Sequence, residues 1–265
     1  MAENAVPRPI KRLGQNFLRS QKAIDQMIAA ADVRETDLVV EIGPGMGAVT
    51  RVLAGRAREV WAYEIDPNLV ARLREELHWA SNVTIHEDNV LAREWELPRE
   101  NYKVVASLPY YITSPILEKL LTAEKIANVI VLMVQKEVGE KIVSAPPDAS
   151  YLSNFVRLFG KPEIVAKVSA AAFWPKPQVD SAILRIKTKA QAEISRGEVE
   201  QAISFLHAGF TEPRKKLHNS LAAGLHIEAG RAKELIGEAG IDSERRAETL
   251  RIDEWLRLYE VVKKA

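Results

Sequence analysis

The sequence predicts an α/β protein in two parts: a largely parallel sheet with helices on both faces, followed by a small all-helical domain. Three observations carry this. Helix-like and strand-like segments alternate from about residue 20 to 185, and two apolar strands, 38–42 and 103–107, run into short turn motifs. Beyond about residue 189 only helical periodicity remains. Strand–helix alternation implies a parallel sheet, because each crossover helix returns the chain to the same sheet edge.

Each element has its own local signal. Ser20 reads as the N-cap of a helix over residues 20–31, with Ile24, Met27 and Ile28 on one face. Strands are expected at 38–42, 59–63, 83–85, 103–107, 129–134, 164–169 and 181–187. Helices at 47–56, 67–78 and 114–121 lie between the earlier ones. The last strands follow without long helices between them, so that edge is expected to be antiparallel. The polar, aperiodic run from Lys187 to Glu193 reads as a linker between a domain of residues 1–188 and one of 189–265. After it come helices over Glu198–Ala208, Arg214–Ala223, Glu228–Ala239 and Asp253–Lys264, separated by Gly or Pro.

Composition limits the functional classes. A chain of 265 residues, 47% hydrophobic and 28% charged, is long enough for a large core. It has no cysteine, which excludes disulfides, thiolate metal sites and a cysteine nucleophile. Residues 1–11 lack an apolar signal core, and the longest apolar run, Val129 to Val134, is too short to span a bilayer. A cytoplasmic protein without membrane contact is expected. The net charge of +1 announces no polyanion partner, so only local clusters bear on one: Arg8, Lys11 and Arg12, and Arg214, Lys215 and Lys216. Such clusters are either solvated faces or phosphate contacts.

The run Glu41-Ile42-Gly43-Pro44-Gly45-Met46-Gly47 ends the first strand in a glycine-rich turn, where backbone can approach a ligand closely. Read as Gly43-x-Gly45-x-x-Ala48 it also satisfies a dinucleotide fingerprint. Glu64, ending the next strand, is placed to accept ribose hydroxyls of an adenosyl group. Glu41 reads as an anchor that accepts backbone N–H groups of the loop. After the third strand, Asp88 or Asn89 is placed to accept from an adenine amino group, and His86 reads as an ordinary loop histidine.

The second motif, Ser107-Leu108-Pro109-Tyr110, suits methylation of an exocyclic amine. The lone pair of such an amine is delocalised into its ring. Two acceptors on its hydrogens favour the tetrahedral nitrogen needed for attack, and positioning supplies most of the acceleration. Ser107 would be one acceptor and the carbonyl of Leu108 or Pro109 the other, with Tyr110 stacked on the base. Phe173, in Phe173-Trp174-Pro175-Lys176-Pro177, is the candidate for the base's other face, while core packing would explain Trp174. Together the two motifs point to S-adenosylmethionine as cofactor, and no metal is required.

These residues, with Arg12-Leu13-Gly14-Gln15-Asn16-Phe17-Leu18, Leu108-Pro109-Tyr110-Tyr111-Ile112-Thr113-Ser114-Pro115-Ile116-Leu117, Met133-Val134-Gln135-Lys136-Glu137-Val138 and Phe210-Thr211-Glu212-Pro213-Arg214-Lys215-Lys216-Leu217, resemble the ribosomal RNA adenine dimethyltransferases, most closely the KsgA type. The resemblance runs nearly end to end. It implies a Rossmann-like class I methyltransferase domain with a helical rRNA-binding domain. It further implies that two adjacent adenines near the 3′ end of 16S rRNA, in the pre-30S particle, are each dimethylated on N6 by a monomer. Cofactor contacts then fall on Asn16, Leu18, Gly43, Gly45, Glu64, Asp88, Asn89 and Ser107, and rRNA contacts on Arg214, Lys215 and Lys216. Two positions depart from the family pattern: Ser107 stands where Asn is usual, and Asn89 where Asp is usual. A hydroxyl is shorter than an amide, so a slower but active enzyme is expected. The alternatives are an Erm-like enzyme of 23S rRNA, an assembly factor on this scaffold with little activity, and, from the glycine loop alone, an NAD(P) oxidoreductase.

Overall fold

A computed structural model describes residues 9–10, 13–92, 95–189 and 194–265. The cluster of Arg8, Lys11 and Arg12, and residues 190–193 of the expected linker, lie outside the described residues. In chain order the elements begin β1 (Phe17–Leu18), α1 (Gln21–Ala31), β2 (Leu38–Ile42), α2 (Ala48–Ala54), β3 (Glu59–Glu64), α3 (Pro67–Glu76), β4 (Val83–Glu87) and β5 (Tyr102–Ser107). Then come α4 (Thr113–Thr122), β6 (Val129–Gln135), α5 (Lys136–Val143), α6 (Tyr151–Phe159), β7 (Gly160–Val168), β8 (Phe173–Trp174) and β9 (Ser181–Thr188). Four helices follow: α7 (Val199–Gly209), α8 (Leu217–Leu225), α9 (Ala229–Glu238) and α10 (Ile252–Lys264).

Seven strands form the main sheet in the order β4-β3-β2-β5-β6-β9-β7. β4, β3, β2, β5 and β6 are mutually parallel, and β9 runs antiparallel to β6. The central strands read as apolar runs because both of their faces are covered. Val39, Val105, Val131 and Met133 pack with Ile24, Met27 and Ile28 of α1 in one core cluster. Ser20 caps α1, its hydroxyl accepting from the Ala23 N–H.

The chain divides into two compact units: Met1–Gly139 with Glu163–Thr188, and Glu140–Pro162 with Lys189–Ala265. The expected division after residue 188 meets a boundary, but a domain unbroken from 1 to 188 needs correction, since Glu140–Pro162 goes with the helical unit. Helix α6 is the reason. Its ring contacts are within that unit, with Tyr151 edge-on to His207 at 5.5 Å and to Phe210 at 6.4 Å. The sequence reading missed α5 and α6, although Ser150 and Ser153 make a reciprocal capping box ahead of α6. It also missed the two-stranded pairing of β1 with β8, where Phe17 faces Trp174 and Leu18 faces Phe173. Two residues per strand carry no readable periodicity.

Candidate active site

Strand order reverses direction at β2: the chain leaves it for β3 on one side and returns to β5 on the other. Crevices at the carboxyl ends of such strands are where open α/β sheets bind ligands. A cavity lies there, open to solvent and lined by both strand-end motifs. Its described lining includes Asn16, Leu18, Gly43, Gly45, Glu64, Asp88, Asn89, Ser107, Leu108 and Pro109. The two strand-end motifs and the N-terminal segment, far apart in sequence, thus share one cavity.

Glu64 holds the glycine loop. Its carboxylate is 5% exposed. Oε2 accepts the Gly45 N–H at 3.1 Å, and Oε1 accepts the N–H groups of Ile65 and Asp66, each at 3.0 Å. A carboxylate offers about four acceptor positions, so Oε2 keeps one toward a ligand. Burial raises the Glu64 pKa, and the three backbone N–H groups work against that rise.

Gly45 is fixed by conformation and by space. Its φ is +58°, and a Cβ there would lie 3.1 Å from Phe17 Cδ1. Phe17 in turn stacks on Trp174 with ring centroids 6.2 Å apart, and the Arg19 guanidinium sits 4.8 Å from the Trp174 ring. Gln15 fastens the same N-terminal segment across the cavity, its Nε2 donating to Asp66 Oδ2 at 3.0 Å. Sequence reasoning did not single out Gln15, although it lies inside a quoted motif.

Glu41 does not anchor the loop as expected. It is 2% exposed, and Oε2 has no hydrogen-bond partner. Glu64 does the anchoring instead, because its side chain at the end of β3 faces the Gly45 N–H. Burial first, then the neighbouring Glu64 charge, pushes the Glu41 pKa up to about 8. An ordinary carboxyl titrates near 4.5, so between these values the unfolded chain releases a proton that the folded chain keeps. That stabilisation is complete below about pH 4.5 and is lost as pH rises toward 8. Glu41→Gln keeps the shape and removes the titration. Its melting temperature is expected to match wild type near pH 4.5 and to exceed it increasingly up to pH 8, by scanning calorimetry. An unchanged difference across that range would contradict a neutral, buried Glu41.

At the far wall the Asn89 side chain is already engaged, Oδ1 accepting the Leu91 N–H at 3.0 Å. Asp88 Oδ1 accepts the Asn89 N–H at 2.6 Å, and Oδ2 has no partner among the described residues. His86 is on β4 rather than in a loop, stacked on Tyr63 with centroids 4.6 Å apart. Burial lowers its pKa.

Ser107 ends β5 on the cavity wall, half-buried, and its hydroxyl has no partner among the described residues. Its backbone oxygen would be 3.7 Å from a Cβ at Gly43, so the two strand-end motifs touch. The Pro109 carbonyl accepts the Ile112 N–H at 3.2 Å, whereas the Leu108 carbonyl has no such partner among the described residues. Tyr110 is half-buried, its hydroxyl 2.8 Å from Ser181 Oγ, and it is not part of the described cavity lining. Phe173 needs correction. It is 6% exposed and packs in the core cluster with Leu18, because alternation along β8 sends Phe173 inward and leaves Trp174 outside. As placed, it presents no open face to a base. Arg214, Lys215 and Lys216 are exposed on the α7–α8 turn, in the helical unit; Lys216 pairs with Glu244, and the other two have no side-chain partner among the described residues.

Chemically, the cavity suits a cation. Its described lining holds the carboxylates of Glu64 and Asp88, beside the buried, neutral Glu41, and no Lys or Arg, which favours a sulfonium and ammonium over a dinucleotide's diphosphate.

Comparison with known proteins agrees with this geometry. The model of the family described as ribosomal RNA adenine dimethylase matches residues 9–264. A protein named Ribosomal RNA small subunit methyltransferase A, from Dehalococcoides mccartyi, is 42% identical over 262 residues, covering 97% of this chain and 90% of its own. The crystal structure of 23S rRNA methyltransferase ErmE superposes with a TM-score of 0.75 at 33% identity, covering 94% of this chain and 100% of that one. A Plasmodium falciparum dimethyladenosine transferase has the same fold, with a TM-score of 0.82 at 24% identity over 94% of this chain and 98% of its own. With the family match running almost end to end over the segments that build the cavity, the chain belongs to the ribosomal RNA adenine dimethylase family.

Proposed function

We propose that this chain uses S-adenosylmethionine to dimethylate N6 of two adjacent adenines near the 3′ end of 16S rRNA, in the pre-30S particle and as a monomer. One observation carries the reading. An uncommitted hydroxyl, Ser107, and an uncommitted carbonyl, Leu108, end β5 on the wall of an acidic cavity built around Gly43–Gly47. The name of the Dehalococcoides mccartyi relative supports the small-subunit substrate.

When bound, S-adenosylmethionine supplies an electrophilic methyl on sulfur. Glu64 would accept from the ribose through its remaining acceptor position. Asp88, rather than Asn89, would accept from the adenine amine, because the Asn89 oxygen already caps its own turn. Leu18, Gly43 and Gly45 shape the methionine side, and Asn16 lies beside them. At the target, Ser107 Oγ and the Leu108 carbonyl would accept the hydrogens of the adenine amine, two in the first transfer and one in the second, and so orient its lone pair for attack on the methyl. As the C–S bond breaks to leave a neutral thioether, the nitrogen would give up one proton to solvent. The Pro109 carbonyl is already used by the Ile112 N–H, which leaves that of Leu108 as the candidate acceptor. Tyr110, tethered to Ser181, offers its ring to the base. Arg214 and Lys215 would meet rRNA phosphate, with Lys216 partly neutralised by Glu244.

The test is incubation with labelled S-adenosylmethionine and 30S particles lacking the dimethyladenines, with products mapped by mass spectrometry. Dimethyladenine at the adjacent pair is expected. Ser107→Asn is expected to match or exceed the parent rate, since the longer amide keeps an acceptor oxygen. A large loss in that variant would refute the role given to Ser107. The ErmE similarity makes 23S rRNA the second substrate to assay. Binding of particles without turnover on either RNA would make the chain an assembly factor.

A further inference from the structure

The residue after the acceptor motif has no assigned part. Tyr111 is 64% exposed, the highest value among the exposed large apolar side chains of the described residues. Ile65 and Leu91, also exposed, border the same cavity as Tyr111. Exposed aromatic surface beside a cavity is where a partner's apolar surface is expected.

The neighbours of Tyr111 hold it in place without covering it. Its backbone lies in the one-turn 3₁₀ helix of Tyr110–Ile112, closed by the Ile112 N–H to the Pro109 carbonyl. One edge of its ring rests on Gly14, where a Cβ would come 3.3 Å from Tyr111 Cε1. Its hydroxyl has no hydrogen-bond partner among the described residues. Tyr110 differs on each count, being half-buried, tethered to Ser181 and off the described lining. Consecutive residues of a 3₁₀ turn point about 120° apart, so both rings cannot stack on one base. Two rings in succession therefore suit two successive bases.

We propose that Tyr111 is a second base platform: it stacks on the nucleotide flanking the target adenine in a single-stranded RNA segment, while Tyr110 meets the target itself. This rests on the methyltransferase reading above. The platform holds the flanking base without touching the reacting atoms, so it contributes equally to the ground state and the transition state. Its loss therefore raises KM and leaves kcat unchanged.

The experiment compares wild type, Tyr111→Ala and Tyr111→Phe on unmethylated 30S particles, and measures S-adenosylmethionine Kd by calorimetry for each. Tyr111→Ala is expected to raise the KM for particles about 5- to 150-fold, the range given by ~1–3 kcal/mol of stacking per base. The kcat should stay at the wild-type value, any rise in cofactor Kd should be smaller than the rise in KM because Tyr111 only borders the cofactor cavity, and Tyr111→Phe should restore KM because the ring is what stacks. A rise in cofactor Kd with KM unchanged would make Tyr111 a brace for Gly14 and overturn the platform. Failure of Tyr111→Phe to rescue would also overturn it. Absence of turnover in the wild type would remove the function, and the platform with it; active wild type with an unaltered Tyr111→Ala would remove the platform alone.

Discussion

Replacing Glu64 with alanine is expected to weaken S-adenosylmethionine binding by about 100-fold or more, measured by calorimetry. The substitution removes the carboxylate proposed above as a ribose acceptor, which is also the single group that satisfies three backbone donors, those of Gly45, Ile65 and Asp66. Each orphaned donor costs about 1–3 kcal/mol, partly recovered where water enters an open cavity, and 100-fold corresponds to about 2.7 kcal/mol. Glu64→Gln separates the two roles. Its one amide oxygen can serve Ile65 and Asp66, while its NH₂ would oppose the Gly45 N–H, so the glycine loop loses its tether and affinity still falls. Because burial raises the Glu64 pKa, wild-type affinity should also decline in mild acid as the carboxylate takes a proton and loses acceptor positions. Cofactor affinity in Glu64→Ala within a few fold of wild type would show that the loop is held by something else.

Gly224→Ala is expected to unfold or severely loosen the helical unit, lowering its stability by about 3 kcal/mol or more. Two effects compete at this position on α8. Alanine favours a helix over glycine by about 1 kcal/mol. Against that, the added Cβ would lie 2.4 Å from the Ala208 Cα and 2.5 Å from its carbonyl oxygen. These are backbone atoms of α7, which cannot rotate away as a side chain would, so α7 and α8 must separate. Overpacking of this kind costs about 1–3 kcal/mol where side chains can adjust and more where they cannot. Far-UV circular dichroism and thermal melts would read the loss. Cofactor affinity should change much less, because every described residue lining the cavity belongs to the other unit. A melting temperature equal to wild type would show that the helices move apart at little cost.

Much of the fold was legible because its signals are local. The boundaries of β2 follow from one apolar run, and α1 follows from Ser20 and a four-residue spacing of buried side chains. Elements were missed where that locality fails. β1 and β8 are two residues each and exist only as partners, so neither segment has a pattern of its own. Phe173 illustrates the consequence: beside prolines it reads as exposed, but pairing with β1 assigns it to the inward side. Glu41 and Glu64 were both legible as carboxylates near the loop. Which of them holds it depends on the parallel register of β2 with β3, which sets Ile42 beside Tyr63 and brings the Glu64 side chain to the Gly45 N–H.

By itself the sequence determined the element types of the sheet, the glycine loop, the Ser107–Tyr110 turn after β5 and the family, since each is written in consecutive residues whose periodicity or chemistry is self-contained. Only the tertiary structure decided that Glu140–Pro162 goes with the helical unit, that among the described residues the Leu108 carbonyl has no partner while that of Pro109 is used, and that Tyr111 is exposed where Phe173 is buried. Those outcomes depend on which surfaces meet across long stretches of chain. Burial and hydrogen-bond satisfaction are properties of pairs, and no single segment contains both members.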